Sequence, residues 1–176
     1  MKLRKMLGLG IDAPETLALM RLIETQSKAT IGKWSVGFSE SRVLPIWEKR
    51  RPGDPRARTA LNLCRGFLEG EVKLAEVKRY KRECGSVVHE FDSDPVTLAA
   101  ARVIFEAAIQ SVYSPTGSLG LLWYASAAIA YDRLGVNESE EAYDVVSAEV
   151  CEDYTAALRA IAVENEPNPA KCKWMC

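Results

Sequence analysis

A single histidine, His89, is all the imidazole in this 176-residue chain. A histidine-activated nucleophile therefore has at most one candidate base, and a zinc site built on several imidazoles has too few. Long apolar runs are missing too. The most apolar stretch, Leu119 to Ala130, is closed by Tyr131, Asp132 and Arg133, well short of the ~20 residues that a membrane-crossing helix needs. Residues Met1 to Gly8 are basic and then briefly apolar, without the apolar length or the small-residue cleavage site of a secretory signal. The expected location is cytoplasmic, with no membrane partner. No G-x-S-x-G, H-E-x-x-H or P-loop motif occurs, and the carboxylate pairs Glu140/Glu141 and Glu152/Asp153 read as a solvated helix face.

Cysteine is present but scattered, at Cys64, Cys84, Cys151, Cys172 and Cys176. An odd number at wide spacing suits buried free thiols better than a disulfide framework. Cys172 and Cys176 form a C-x-x-x-C pair without partners to complete a metal site. No metal and no cofactor is expected.

What the chain does have is charge, unevenly placed. Residues 1–88 carry a formal +8 and residues 89–176 a formal −9, which leaves the net −1 of the whole. Such asymmetry has two readings: an interaction surface, or a basic half packed on an acidic one. Basic residues concentrate from Arg50 to Arg82, with Trp47 and Tyr80 among them. Acids are interleaved throughout (Glu48, Asp54, Glu69, Glu71, Glu76, Glu83), and the sequence pI is near 6.0. Both facts argue against a dedicated nucleic-acid-binding domain.

Helix punctuation runs the length of the chain. Asp12-Ala13-Pro14-Glu15, Asp54-Pro55, Asp94-Pro95 and Asn137-Glu138-Ser139-Glu140 read as starts. Pro52-Gly53, Gly70, Ser114-Pro115-Thr116-Gly117 and Gly135 read as stops or turns. A helix from about Thr30 to Arg51 would bury Trp34, Phe38, Val43, Ile46 and Trp47, and Pro45 inside it predicts a kink near Ser41 to Leu44. Residues 73–90 predict a charged helix, 95–113 an Ala-rich one, 118–134 the most buried one and 139–164 a long last one. Glu106 on the Ala-rich helix needs a partner, and Arg102 stands four residues earlier. The expectation is all-α: a single-domain bundle of about seven helices, mostly antiparallel neighbours. Residues 1–164 would form the domain, with 1–11 a loose N-terminus and 165–176 a loose Pro-containing tail.

The block from Trp34 to Val72 is the most distinctive. It holds Trp34, then Arg42-Val43-Leu44-Pro45 with Trp47-Glu48, then Pro52-Gly53-Asp54-Pro55-Arg56 and Arg58, and Gly70-Glu71-Val72-Lys73-Leu74 after it. In order, these residues and the later Tyr124-Ala125-x-Ala127-Ala128 helix resemble an all-α, immunity-protein-five-like family of bacterial polymorphic toxin systems. The likeness covers most of residues 30–160. It implies a non-catalytic protein whose partner is a cognate toxin, bound and occluded. The family carries histidines around the turn before the apolar helix, where this chain has Tyr113 and Ser118.

Within the block, Trp34, Arg42, Pro45, Trp47, Glu48, Asp54, Pro55, Arg56 and Arg58 are expected to serve the architecture first. The acidic last helix is the favoured partner-binding face, through Glu138, Glu140, Glu141, Asp144, Glu149, Glu152 and Asp153, and the basic helix 73–90 is the other. Two readings from different classes stand beside this one. A small helical enzyme or ligand-binding domain would use Arg42, Glu48, Asp54 and Arg58 with His89 in a polar pocket. A dimerising helical adaptor would show an apolar interface between copies.

Overall fold

The structure, a computed structural model, describes residues 6–170 together with Cys172 and Trp174. Among the described residues there are seven continuous helices and no strand. Helix α1 is Pro14–Glu24. Helix α2 runs unbroken through Lys28–Phe38, a π turn Ser39–Val43, and Leu44–Arg50. Helices α3 and α4 are Arg56–Leu68 and Leu74–Cys84, and a 3₁₀ turn Val87–Phe91 follows. Helix α5 joins Pro95–Ala101, a π segment Arg102–Ala108 and Ile109–Ser111. Helices α6 and α7 are Gly117–Leu134 and Glu140–Ile161.

Local chemistry explains most of the boundaries. Ser27, Asp94 and Ser139 accept the third backbone N–H of their helices, from Thr30, Thr97 and Ala142. Two expected caps differ. The first helix is preceded by Ala13 in an extended conformation with no side-chain cap, so Pro14 alone sets its start. Asp54 stands one residue before the N-cap Pro55, yet its Oδ1 still accepts the Arg56 N–H at 3.1 Å. Gly135 ends α6 at φ 84°, a left-handed conformation that side chains resist.

The distortion expected at Pro45 is a π turn. A proline cannot donate to the carbonyl four residues back. The turn before it shifts the pairing so that the Leu44 N–H reaches the Ser39 carbonyl, five residues back. Burial follows this shift. Trp34 and Phe38 face the core four residues apart, then the next buried hydrophobic residue is Val43, five on, followed four residues later by Trp47.

Helix α6 lies at the centre and packs along both α5 and α7. The contact with α5 is close because alanines dominate both partners: Ala99, Ala100, Ala101 and Ala108 against Ala125, Ala127, Ala128 and Ala130, all buried. Two aromatic clusters flank it. Trp34 stacks on Tyr154 at 3.9 Å and donates its indole N–H to the Tyr154 carbonyl at 2.8 Å, while the Tyr154 hydroxyl donates to the Ser118 carbonyl at 3.1 Å. Trp47 meets Phe91 and Phe105 edge-on, each at 5.3 Å.

Described residues near both ends lie against the bundle. Leu7 is buried and its N–H donates to the Trp123 carbonyl, while the Trp123 indole donates to the Leu9 carbonyl. Ala170 is buried, its N–H donates to the Gln26 carbonyl at 2.7 Å, and the Trp174 indole donates to Glu24. Residues 1–5 and the cysteine at 176 lie outside the described residues.

Candidate functional site

The polar residues of the distinctive block do not form one pocket. Glu48 and Arg58 pair across the α2–α3 junction, as do Glu40 and Arg65, and these four line a shallow cleft of about 280 Å³. Arg42 points the other way and pairs with Asp153 on α7 at 2.9 Å. Asp54 is taken by Arg56 at 2.7 Å, and Arg56 also reaches Glu90 at 3.2 Å. The Arg56 hydrogen bond, above all, holds the Asp54 carboxyl below its ordinary value, and burial opposes it. His89 is exposed on the 3₁₀ turn and makes no side-chain hydrogen bond or ion pair among the described residues. The cluster invoked for a ligand pocket is thus divided among three places, with each acid already answered by an arginine.

The basic and acidic halves meet in part through such pairs. Arg42–Asp153, Lys49–Asp132, Arg50–Asp94 and Arg56–Glu90 all join residues before 89 to residues after it. The asymmetry of the sequence is therefore partly internal. Glu106 finds Arg102 at 3.0 Å, as the spacing predicts, and that guanidinium also lies over the Tyr124 ring at 5.6 Å. At the turn before α6, Tyr113 lies under Lys78 at 5.0 Å and accepts from Lys81 at 3.3 Å. Ser118 donates to the Pro115 carbonyl. No group of three or more potential metal ligands occurs among the described residues. Cys64, Cys84 and Cys151 are buried free thiols, and burial pushes Cys64 up to about 12.

The acids on α7 and just before it behave differently. Glu138, Glu140, Glu141, Asp144, Glu149, Glu152 and Asp153 are all exposed. Arg133 answers Glu149 at 2.9 Å and Arg42 answers Asp153. Glu138, Asp144 and Glu152 make no ion pair among the described residues. The Glu141 carboxyl is held below its ordinary value by its own backbone N–H and then by Ser139, so it stays charged.

Beside these acids runs an open groove of about 690 Å³ between α1 with the segment before it and α7. Its wall on α7 includes Val145, Ala148, Glu152, Ala156 and Arg159, one stripe at three- and four-residue spacing. Facing it are Leu9, Glu15 and Ala18. Glu15 also lacks an ion pair among the described residues, and its charge adds to the burial that raises the neighbouring Cys151 thiol. Sequence reading found the acids of α7 but not this groove. The available signal was a second stripe of small apolar residues on α7, separate from the buried Tyr143, Val146, Val150, Tyr154 and Leu158.

Fold and surface together define an all-α, single-domain protein with an acidic, grooved outer helix. No helix among the described residues is long and apolar enough to cross a membrane. Residues 21–157 match the family described as Imm-5 like putative immunity protein, and the chain belongs to that family. No curated protein and no solved structure matches the chain.

Proposed function

We propose that this chain is a non-catalytic immunity protein that binds a cognate bacterial toxin in the cytoplasm and neutralises it by covering the toxin's working surface. Family membership supplies the class of partner. The observation that carries the binding reading is the last helix with Glu138 just before it, whose seven carboxylates are all exposed and only partly answered by arginines. A surface of this kind suits a basic partner, such as a toxin that acts on nucleic acid, because complementary charge speeds encounter and rejects wrong partners. The helical scaffold is preformed, so little ordering cost opposes association. In this reading the block from Trp34 to Arg58 holds the scaffold together, and the partner is chosen elsewhere.

The test is co-expression with the product of the adjacent gene in a bacterial host. The expected result is rescued growth and a complex that co-purifies at 0.15 M salt. Growth arrest that this chain does not relieve, with no complex formed, would sink the reading.

A further inference from the structure

The groove between α1 and α7 combines two features that the acidic face alone does not have. Its lining is largely apolar, with Leu9, Ala18, Val145, Ala148, Cys151 and Ala156. Three carboxylates join them: Glu149 is answered by Arg133, while Glu15 and Glu152 are in no ion pair among the described residues, and the one cation in the lining is Arg159. Val145, one of the large exposed hydrophobics among the described residues, belongs to this lining. Ile11, Leu17, Ile161 and Val163 are exposed elsewhere on the same two helices and the segments that flank them.

We infer that this groove receives a basic, amphipathic helical segment of the cognate toxin. That inference rests on the immunity reading and names the place and chemistry of the contact. From Val145 to Arg159 the α7 wall extends roughly 21 Å at 1.5 Å per residue, the length of about four helical turns. A helix laid in such a trough presents apolar residues at three- and four-residue spacing to the floor and its flanks to the edges. Lysine or arginine on those flanks meets Glu15 and Glu152. Small alanines on the floor let the incoming backbone come close, and Arg159 sets direction by favouring an acidic or carbonyl-rich end of the segment.

The experiment measures binding of the adjacent gene's product, made catalytically inert, to three forms of the full chain. These are the natural sequence, a groove double variant Ala148→Arg with Glu152→Arg, and a control Lys78→Glu with Arg79→Glu on the basic helix α4. All substituted positions are exposed, and circular dichroism and melting confirm that each form folds. The groove variant is expected to bind at least about a hundredfold more weakly, since it both fills the floor and reverses the charge. The control is expected to keep its affinity within about threefold, in line with near-neutral changes outside a contact. Equal affinity of the groove variant and the natural chain overturns the groove while leaving the immunity reading standing. Failure of the natural chain to bind overturns both. A homodimer that the groove variant dissolves while toxin binding is unchanged gives the groove to a second copy and overturns the proposal.

Discussion

The α2–α3 junction and the outer face of α7 hold similar numbers of charged residues and arrange them in opposite ways. At the junction Glu40, Glu48 and Asp54 each have an arginine, supplied by a neighbouring helix turn or by the next helix. On α7 and just before it the carboxylates outnumber the cations that reach them, and Glu138, Asp144 and Glu152 stand without one among the described residues. Charge that is answered locally helps to fix geometry and leaves little field for a partner. Charge left unanswered costs the fold little at the surface and extends an attraction outward over about a Debye length. In the proposed reading, the difference separates residues that hold the bundle from residues that meet the partner.

Stability measurements break or sharpen that separation, and the largest effect is expected in the core where α2 packs on α7. Trp34→Ala removes a stacked ring and a buried hydrogen bond to Tyr154, and should lower unfolding free energy in urea by roughly 3–5 kcal/mol. Asp94→Ala removes the cap that receives the Thr97 N–H, at a cost of about 1 kcal/mol. Acid titration of stability addresses Asp54. Its carboxyl lies below the ordinary 3.8 in the folded chain, so the unfolded chain binds the proton more readily. The stabilisation is therefore present above that value and is lost as pH falls through the lower folded value. In Asp54→Asn that part of the acid limb should be absent, and an unchanged limb would remove Asp54 from the set of holding residues. Arg58→Ala breaks an exposed pair with Glu48 and should cost about 0.2–1 kcal/mol in the same urea assay. Least of all, Glu152→Ala should leave stability within about 0.5 kcal/mol. A large loss there would move the α7 face from the binding side of the comparison to the structural side.

How much of this could be read from sequence depends on how local each cause is. Caps at Asp94 and Ser139, the glycine stop at 135 and the inward tryptophans depend on neighbours within a turn or on simple periodicity, and seven helices follow from such signals. The pair Arg102–Glu106 was legible for the same reason. Asp12 has the neighbours of a cap in Pro14 and Glu15, but it lies in a turn closed by the Ala13 N–H on the Gly10 carbonyl, and the extended Ala13 takes the N-cap place. The packed tail depends on Gln26 meeting Ala170, a contact no local pattern encodes. The groove likewise needs Glu15 and Ala18 brought beside Val145 and Glu152. The acids of α7 were visible, while their apolar companion surface existed only after folding.

The π turn Ser39–Val43 has a consequence for how this chain tolerates change in length. An ordinary helix that loses one residue rotates everything beyond the gap by about 100°, which here would swing Trp47 out of the core. A π turn already carries one residue more than a regular turn needs. Shortening the chain by one between Ser39 and Val43 would turn it into an α turn with Phe38 and the present Val43 four residues apart and both still facing inward, whereas losing one elsewhere in α2 has no such slack to draw on. The turn therefore acts as a phase adjuster: it takes up its extra residue locally, so that the half of α2 that carries Trp34 and the half that carries Trp47 both keep their buried faces toward the core.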